Sequence, residues 1–411
     1  MTLTGKCVVV GLAGGISCYK VAELVRILVQ EGATVRVIMT RNAQEFITPL
    51  TLQALSGSPV STDTFSLTQE SQIGHVQLAD SADVIVVAPA TANVIGKLAA
   101  GIADDLLTTV ITATRAPVLL APAMNVHMYE NNIVQQNLHR LVGVGFHTVG
   151  PDRGALACGY TGLGRLSDPD VIAEEIRVLL SPSDLAGERL LVTAGPNREA
   201  IDPVRFLSNR STGRMGYAVA RVARRMGAKV TLVTGPSALV PPPGVTVVEA
   251  VSAEDMRREV MRAYPRATSV VMAAAVADYR PERVLRQKLT KGEGPISLRL
   301  VRNRDILASL GRRKGKRLLV GFAAETNDVE ARAARKLRAK NIDLIVANDV
   351  SASDAGFAVE TNRVHLLDAK GWHVELPLLP KEEVAERICS WISEHRRHTR
   401  RKGGGRQPKR G

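Results

Sequence analysis

The sequence predicts an α/β protein made of two three-layer, doubly wound domains of the Rossmann or flavodoxin-like type. Its 411 residues are 45% apolar, which is enough for more than one core. Short apolar runs without strict polar alternation are separated by helical patterns, as is typical of a parallel sheet covered on both faces. The same plan of strand, turn and helix begins again after residue 187. Together these observations indicate two similar domains in tandem.

The first half alternates buried strands with helices. A Gly-rich turn opens an amphipathic helix that ends at Gly32, because glycine readily takes the left-handed conformation that closes a helix. We therefore predict a first domain over residues 1–180. Its strands are predicted at residues 6–12, 34–40, 83–90 and 116–123.

A linker containing Ser, Pro and Gly, residues 181–187, precedes the second half. A helix is predicted at residues 213–227. In both halves a Gly that closes a helix is followed by Ala and then by a strand, which favours a second domain of the same kind over residues 188–394. Its strands are predicted at residues 188–196, 228–236, 268–276, 317–325 and 342–350.

Cysteine content and hydropathy exclude several protein classes. The four cysteines, Cys7, Cys18, Cys158 and Cys389, form no C-x-x-C pair, so neither a zinc site of that kind nor a disulfide framework is expected. The first residues lack the charged and apolar regions of a signal peptide. No apolar run approaches the about 20 residues of a membrane span. We therefore expect a cytoplasmic protein that does not enter a membrane.

The net charge of +14 is concentrated at one end of the chain. Residues 395–411 carry eight Lys or Arg and no acidic residue. Because this segment has no apolar residues to bury, we expect it to be disordered. A solvated extension is favoured over nonspecific contact with RNA or an anionic surface, and no specific nucleic-acid partner is expected.

Small and polar residues follow the predicted strands of the first half. The loop GLAGGIS, residues 11–17, allows backbone amides to approach a phosphate at the start of a helix. It is not G-x-G-x-x-G, so the dinucleotide fingerprint is absent. Thr91, Asn93 and Asn125 follow two later strands, and His75 precedes an apolar segment. Each residue alone has an ordinary structural explanation, whereas the combination favours a ligand site.

Five ordered motifs make the first half resemble the homo-oligomeric, flavin-containing cysteine decarboxylases. They read GGISxYK, GHVQLA, APATANVIGKLAAGIADDLLT, PAMNVHMY and ACGYTGLGRL. The second half resembles the phosphopantothenate–cysteine ligases. The chain to about residue 394 is therefore similar to the bifunctional phosphopantothenoylcysteine decarboxylase/phosphopantothenate–cysteine ligase family of coenzyme A synthesis.

The resemblance implies FMN as the cofactor of the first half. His75 matches the active-site histidine of the family, and Asn125 matches the residue that binds the substrate carboxylate. Cys158 lies in a flap over the substrate and matches the proton donor. The positions that match FMN-contacting residues are Gly14, Ser17, Thr40, Ala90, Thr91 and Asn93.

The implied chemistry accounts for these residue types. Loss of CO2 from a cysteine carboxylate leaves a carbanion with no electron sink. The resemblance implies that FMN first oxidises the cysteine moiety to a thioaldehyde and later returns a hydride. Histidine suits the proton transfer near neutral pH, and a thiol on a closing flap suits the last protonation.

A long polar loop, residues 193–216, opens the second half. It is not G-x-x-x-x-G-K-[ST], which excludes a P-loop. The resemblance implies that Asn209 turns over an acyl-cytidylate that Arg205 helps to bind. Lys288 begins a lysine motif that reads KLTK here where the family has K-x-K-K, and RNRDI replaces the usual N-P-D-I. The positions implied to contact CTP are Ala275, Asp278, Lys288, Asn303, Asp305, Ile306, Phe322, Lys336 and Lys340.

The implied ligase reaction has two steps. CTP activates the carboxylate of 4′-phosphopantothenate as an acyl-cytidylate, and the amine of cysteine then displaces CMP. Lysines and Mg²⁺ offset charge on the triphosphate, although the sequence assigns no metal ligands. The family also implies homo-oligomers, with decarboxylase trimers that build the flavin site between subunits and ligase dimers.

Three alternatives remain open at the level of sequence. The first is a flavoprotein decarboxylase whose second half is a binding or regulatory module. Intact Asn209, Lys288, Lys336 and Lys340 disfavour it, whereas the KLTK departure leaves it open. The second is a basic nucleic-acid-binding α/β protein. The third is a nicotinamide dehydrogenase, which the missing dinucleotide fingerprint disfavours.

Overall fold

The computed structural model describes residues 3–64, 74–157, 159–290, 296–325, 329–349 and 359–403. The chain forms two compact units, unit 1 (Met1–Ser181) and unit 2 (Pro182–Gly411). Within the described ranges, every helix is too short or too polar to cross a bilayer.

Unit 1 alternates strands and helices along most of its length. Its elements are β1 (Cys7–Leu12), α1 (Cys18–Gln30), β2 (Thr34–Met39), α2 (Pro49–Ser56), β3 (Val60–Ser61), α3 (Gly74–Ser81), β4 (Val84–Ala90), α4 (Ala92–Ala100), α5 (Leu106–Ala113), β5 (Val118–Pro122), α6 (Val126–Tyr129), α7 (Asn132–Gly143), β6 (His147–Thr148), β7 (Asp152–Ala155), β8 (Thr161–Arg165) and α8 (Pro169–Leu180).

A six-stranded parallel sheet, in the order β3-β2-β1-β4-β5-β6, forms the middle layer of unit 1. Val8 and Val10 of β1 point into one core, which α1, α2 and α8 cover. Val9 points to the opposite face, into a core covered by α3, α4, α5 and α7. The order of the strands reverses at β1 and β4, so the loops that follow these two strands diverge to opposite faces and leave a crevice.

Unit 2 repeats this plan and extends it. Its elements are β9 (Arg189–Ala194), β10 (Arg198–Ala200), β11 (Phe206–Ser208), α9 (Arg214–Arg225), β12 (Lys229–Thr234), β13 (Thr246–Glu249), α10 (Ala253–Ala263), β14 (Ser269–Met272), β15 (Tyr279–Pro281), β16 (Leu300–Arg302), α11 (Ile306–Gly311), β17 (Leu318–Glu325), α12 (Val329–Ala339), β18 (Leu344–Asp349), β19 (Thr361–Asp368), β20 (His373–Pro380) and α13 (Lys381–Gly403).

The sheet of unit 2 has the order β13-β12-β9-β14-β17-β18-β19-β20. The first six strands are parallel, whereas β19 and β20 run antiparallel to their neighbours. Helices α9 and α13 cover one face, and α10, α11 and α12 cover the other. The prediction of two doubly wound α/β domains is therefore confirmed. The two antiparallel strands were not predicted, although burial alternates strictly along β19.

The start of the predicted disordered tail is wrong. Helix α13 continues through residues 395–403, which were expected to be disordered. His395 stacks on Trp391 with ring centroids 3.9 Å apart, and Arg396 donates to the buried carboxylate of Glu188 at 2.9 Å. The sequence argument counted the charges of this segment as solvated, but Arg396 and Arg397 have acidic partners inside unit 2, Glu188 and Asp184. Residues 404–411 lie outside the described ranges.

An ion-pair cluster joins α13 to α9. Glu382 accepts hydrogen bonds from Arg221 at 2.8 Å and from Arg225 at 3.0 Å, and Arg225 is only 4% exposed. Burial acts to raise the pKa of Glu382, but the guanidinium groups of Arg225 and Arg221 outweigh it and lower this pKa to about 2. The carboxylate therefore stabilises unit 2 fully above the ordinary glutamate pKa, and this stabilisation is lost as the pH falls towards about 2.

We expect Glu382→Gln to lower the free energy of unfolding of unit 2 by about 2 kcal/mol at pH 7, because a buried guanidinium loses its carboxylate. The difference from the wild type should shrink as the pH falls from about 4 towards about 2. Both tryptophans, Trp372 and Trp391, lie in unit 2, so urea unfolding of the full chain followed by tryptophan fluorescence measures this effect.

Glu383→Gln is the matched control, because Glu383 is the exposed neighbour of Glu382 in α13. It should change the free energy of unfolding by less than about 0.5 kcal/mol. Equal losses in the two variants at pH 7 would contradict a special role for the ion pairs of Glu382.

Candidate functional sites

Unit 1 contains a cavity of about 970 Å³ at the carboxyl ends of β1, β2, β4 and β5. The crevice at the reversal of strand order is where a parallel sheet is expected to bind a ligand. Most of the residues that the sequence predicted for the flavin and the substrate carboxylate line this cavity. They are Gly14, Ser17, Thr40, Thr91, Asn93 and Asn125.

Two of the described residues that were predicted for this site, Ala90 and His75, lie elsewhere. Ala90 ends β4 and is fully buried, and His75 lies on α3. Of the residues that the structure describes, neither is part of the cavity lining. Cys158 falls outside the described residues, whereas its neighbour Ala157 lines the cavity.

In the loop after β1, which we call the Gly14 cradle, backbone atoms approach Asn42 too closely for a side chain at Gly14. A Cβ atom on Gly14 would clash with Asn42, whose backbone carbonyl would lie 2.9 Å away, so a glycine is needed here. Ser17 occupies the N-cap position of α1, yet its hydroxyl makes no capping hydrogen bond to the helix. The first turn of α1 also lacks an acidic residue. The start of this helix therefore offers backbone amides and a hydroxyl to an anion.

The Thr40 hydroxyl is a buried polar atom without a protein partner. Its backbone amide donates to Leu12 at 3.0 Å, which fixes the residue at the end of β2. Within the described ranges, no group bonds to its Oγ1 atom. A buried hydroxyl without a hydrogen bond costs about 1–3 kcal/mol, so such an atom in a cavity wall indicates a bound polar ligand.

The hairpin β7–β8 forms one wall of the cavity. Gly164 has a φ of +145°, and a Cβ atom there would clash with the carbonyl oxygen of Met124. The close approach lets the Met124 amide donate to the Gly164 carbonyl at 3.0 Å. The hairpin therefore lies against the loop after β5 and brings Leu156 and Arg165 to the cavity. The predicted flap corresponds to this hairpin and its turn.

Asn125 is held by the start of α6. Its Oδ1 atom accepts the backbone amide of His127 at 2.9 Å. This bond fixes the orientation of the side-chain amide, because only the oxygen can accept. A carboxylate needs a donor, so the Nδ2 end of Asn125 is the part suited to a substrate carboxylate.

A charged cluster in the cavity wall was not predicted as part of the site. Lys97 donates to Asp104 at 2.7 Å and to Asp105 at 3.2 Å. The hydrogen bond to Asp104 is the main cause that raises the pKa of Lys97. Burial acts to raise the pKa of Asp105, but bonds from Thr108 and Lys97 outweigh it and lower that pKa. In the segment GKLAAGIADD, Asp104 and Asp105 follow Lys97 by seven and eight residues. This spacing was the sequence signal that could have indicated the cluster.

Further lining residues were also missed. Asn42 follows the end of β2 closely, as Thr40 does, and this position could have been considered for the same reason. Several other missed residues have long side chains whose direction depends on tertiary packing. They are Tyr19, Lys20, Arg41, Met124, Met128 and Arg165.

Unit 2 gathers predicted residues at the carboxyl ends of β9 and β14. Asn209 donates from Nδ2 to the Ala275 carbonyl at 2.9 Å. The Ala275 amide donates to the Gly195 carbonyl at 3.1 Å. The long loop after β9 is thereby tied to the loop after β14, across the point where the strand order of this sheet reverses.

Asp202, which the sequence analysis did not single out, connects Arg205 to the segment of Lys288. It is 2% exposed and accepts the amides of Val204 and Arg205 at 2.7 Å and of Leu289 at 3.1 Å. Burial acts to raise its pKa, but these amides and the Arg205 guanidinium outweigh it and lower the pKa. Arg205 also donates to the Leu289 carbonyl at 3.1 Å. The Lys288 side chain is exposed beside this junction.

Asn303 has a structural role in the same region. Its Nδ2 atom donates to the Ala277 carbonyl at 2.8 Å, and its Oδ1 atom accepts Arg280 at 2.8 Å. Its backbone amide donates to the Asp278 carbonyl at 2.8 Å. The bonds of the Asn303 amide therefore hold the loop that presents Asp278.

The remaining predicted residues surround α11 and α12. Asp305 caps α11 by accepting the Ala308 amide at 2.9 Å, and it pairs with Lys340 at 3.0 Å. The Lys340 amide donates to the Lys336 carbonyl at 3.0 Å, which confirms that these two lysines lie one helical turn apart. Ile306 is 3% exposed, and its side chain belongs to the core. Phe322 packs against the opposite core, and Lys336 is exposed.

The fold and these two sites define a class: a two-unit α/β enzyme with a polar ligand site at the strand-order reversal of each unit. Residues 1–181 match the family model Flavoprotein. Residues 185–395 match the model described as DNA/pantothenate metabolism flavoprotein C-terminal domain.

Similar proteins cover nearly the whole chain. The coenzyme A biosynthesis bifunctional protein CoaBC of Bacillus subtilis (strain 168) is 49% identical over 395 residues, 95% of this chain and 97% of that protein. The CoaBC protein of Escherichia coli (strain K12) is 46% identical over 399 residues, 95% of this chain and 98% of that protein. A crystal structure of the C-terminal domain of a CoaBC protein is 46% identical, with a TM-score of 0.46, and covers 53% of this chain and 99% of that chain. The chain belongs to the family of bifunctional CoaBC proteins of coenzyme A biosynthesis.

We expect Thr40→Val to separate ligand binding from folding. The substitution removes a buried hydroxyl that has no partner within the described ranges, so the flavin-free protein should be as stable as the wild type or slightly more stable. FMN binding should weaken about fivefold if the flavin supplies the missing hydrogen bond. Fluorescence titration with FMN and thermal unfolding measure the two effects.

Thr40→Ser is the control, because it keeps the hydroxyl and loses only a methyl group. It should bind FMN within about twofold of the wild type. Unchanged FMN affinity in Thr40→Val would contradict the assignment of this hydroxyl to the flavin.

Proposed function

We propose that this chain performs two consecutive steps of coenzyme A biosynthesis in the cytoplasm. Unit 2 joins 4′-phosphopantothenate to cysteine with CTP, and unit 1 decarboxylates the resulting phosphopantothenoylcysteine to 4′-phosphopantetheine. The main support is that both halves of the chain match bifunctional CoaBC proteins, with 46–49% identity over about 95% of the chain. A decarboxylase with a non-catalytic second half is disfavoured for the same reason.

The cavity of unit 1 fits FMN as its cofactor. The observation that supports this most directly is the buried Thr40 hydroxyl, which has no partner within the described ranges, beside the Gly14 cradle and the start of α1. When bound, FMN supplies the redox chemistry and the electron sink that a cysteine carboxylate lacks. Ser17 and the first amides of α1 would hold its phosphate, and Thr40, Thr91 and Asn93 would contact the rest.

The protein supplies orientation and protons around this cofactor. The Nδ2 atom of Asn125 would donate to the substrate carboxylate, which a neutral amide orients without holding it too strongly. The hairpin β7–β8 would keep water from the reacting atoms. From its turn, Cys158 would deliver the last proton to the product.

We infer that the flavin site is completed by a second copy of the chain. His75, the proposed proton-transfer residue, is outside the described lining of its own cavity. The cavity also carries apolar side chains that are largely exposed, with Ile16 57%, Tyr19 62% and Met128 48% exposed. Exposed apolar residues grouped around a ligand site favour a subunit contact. A homo-oligomer formed through unit 1 accounts for both observations. The family resemblance implies trimers through unit 1 and dimers through unit 2.

In unit 2, the loops after β9 and β14 would hold the reacting acyl group. Asn209 lies between them through its bond to Ala275, and Arg205 is fixed by Asp202. Lys288, Lys336 and Lys340 would offset the charge of the triphosphate and of the departing pyrophosphate. Mg²⁺, held mainly by phosphates and water, would share this role.

The complete reaction is the first test of the proposed function. Purified protein with 4′-phosphopantothenate, cysteine, CTP and Mg²⁺ should yield 4′-phosphopantetheine, CMP and CO2, detected by mass spectrometry. Omission of CTP should abolish all three products. Accumulation of phosphopantothenoylcysteine alone would contradict the assignment of unit 1, and no product from yellow protein would contradict the assignment of unit 2.

We expect Asn209→Asp to accumulate the acyl-cytidylate. Aspartate cannot donate to the Ala275 carbonyl, and it adds a negative charge where cysteine must attack. Quenched reactions analysed by mass spectrometry should show the intermediate in at least about tenfold excess over the wild type.

Asn209→Ala is the comparison variant, because it removes the donor without adding charge. It should also slow amide formation if the donor itself is needed. Amide formation at the wild-type rate in Asn209→Asp would refute the role of Asn209.

A further inference from the structure

A cluster of one carboxylate and two imidazoles lies in unit 2, on residues to which the proposed reactions assign no role. It consists of Glu330 in the first turn of α12, His365 in β19 and His373 in β20. His365 pairs with Glu375 in the antiparallel register, so His373 is its diagonal neighbour on the same face of the sheet. Helix α12 covers this face, because Ala333 and Leu337 pack into the core beneath it. The sheet register and the helix together bring the three side chains to one point.

The donor atoms of the cluster are close to one another. His365 Nδ1 and His373 Nε2 are 3.3 Å apart. Glu330 Oε1 is 3.7 Å from the His365 nitrogen and 3.6 Å from the His373 nitrogen. A point equidistant from the three atoms lies about 2 Å from each, which is the usual bond length of Zn²⁺ to imidazole nitrogen and carboxylate oxygen.

The chemistry of the donors selects a class of ion. We propose that Glu330, His365 and His373 form a binding site for a divalent transition-metal ion, Zn²⁺ being the best match. Two imidazoles and one carboxylate are the ligand set of many zinc sites, whereas Mg²⁺ prefers oxygen ligands alone. The Glu330 side chain is 58% exposed and that of His373 35%, so water has access to a fourth coordination position.

The metal-free arrangement is a hydrogen-bonded imidazole pair. The ring centroids are 5.6 Å apart and the rings are nearly parallel, at 16°. The 5.6 Å between the ring centroids exceeds the 3.3 Å between the two nitrogens by about two ring radii. The rings therefore meet edge to edge, with the two nitrogens facing each other. A metal ion replaces the shared proton, and each ring turns by a few tens of degrees to direct its lone pair at the ion. Neutral imidazoles and an ionised carboxylate are the forms that bind.

A bound ion would join α12 to the β19–β20 hairpin. At present this end of the helix contacts the hairpin through Glu330 and the two histidines. Three metal–ligand bonds would hold the helix start in place, and Lys336 and Lys340 lie about 1.7 and 2.8 helical turns after Glu330 in the same chain segment. Metal binding therefore stabilises unit 2 and steadies the segment that carries these lysines.

The test uses the full-length protein after treatment with a chelator. Dialysis against Zn²⁺ in excess Mg²⁺, followed by elemental analysis, should show one more Zn²⁺ per chain in the wild type than in the double variant His365→Asn/His373→Asn. Glu330→Gln should weaken zinc binding at least about tenfold. Zn²⁺ should raise the unfolding temperature of the wild type, followed by tryptophan fluorescence, and leave that of the double variant unchanged.

The controls are matched by residue type and by position. Glu375→Gln removes a carboxylate from the same face of the sheet, and His147→Asn removes an exposed histidine from unit 1. Both should bind zinc as the wild type does. Equal zinc content in the wild type and the double variant, or equal losses in the controls, would overturn the proposal. Because the readouts are metal content and unfolding temperature, they are independent of the proposed reactions.

Discussion

The reversal of strand order within each parallel sheet is the constraint on which the rest of the structure depends. In unit 1, β1 lies between β2 and β4, and in unit 2, β9 lies between β12 and β14. The chain leaves these neighbouring strands towards opposite faces of the sheet, so their loops cannot pack on each other and a crevice remains. Gly14 and Thr91 in unit 1 follow β1 and β4, and in unit 2 the bond of Asn209 to Ala275 joins the loops after β9 and β14.

Close packing around the crevices determines where glycine is required. Gly14 approaches Asn42, and Gly164 approaches Met124, more closely than any side chain would allow. In unit 2, Gly216 is packed against Ala194 and Thr193, which sets α9 tightly onto β9. In unit 1, these close backbone contacts hold the loops that carry the polar groups of the site. Those groups therefore stay in position without many side-chain hydrogen bonds. In the part of the chain that the structure describes, the buried Thr40 hydroxyl in this wall has no hydrogen-bond partner.

The fold was predictable because burial on both faces of a parallel strand leaves a direct mark on the sequence. The run Val8–Val10 is apolar at every position, and the helix ending before Gly32 has a clear apolar stripe. Strands β19 and β20 were missed, because β19 alternates buried and half-buried residues and β20 is mostly exposed, so neither has the continuous burial of the parallel strands. Site residues that closely follow strands, such as Thr91 and Asn125, could be predicted from their positions in the sequence. Asp202 was missed because one of its partners, the Leu289 amide, is brought close only by tertiary folding, and sequence spacing does not reveal it. Lys97 was missed although its acidic partners lie only seven and eight residues further along the chain.

The two sites differ in how far the protein builds them before a ligand binds. In unit 1, a cavity is already walled by backbone and by the β7–β8 hairpin, which suits a cofactor that remains bound through many turnovers. In unit 2, Lys288 is exposed and Lys340 is paired with Asp305. In the proposed ligase site, a nucleotide triphosphate would enter and leave in every cycle, and desolvated lysines would repel one another before it binds. Asp305 would offset that repulsion, and the triphosphate would replace it as the partner of Lys340. The proposed permanent cofactor of unit 1 and the proposed consumed cosubstrate of unit 2 therefore agree with the different extent to which the two sites are built before a ligand binds.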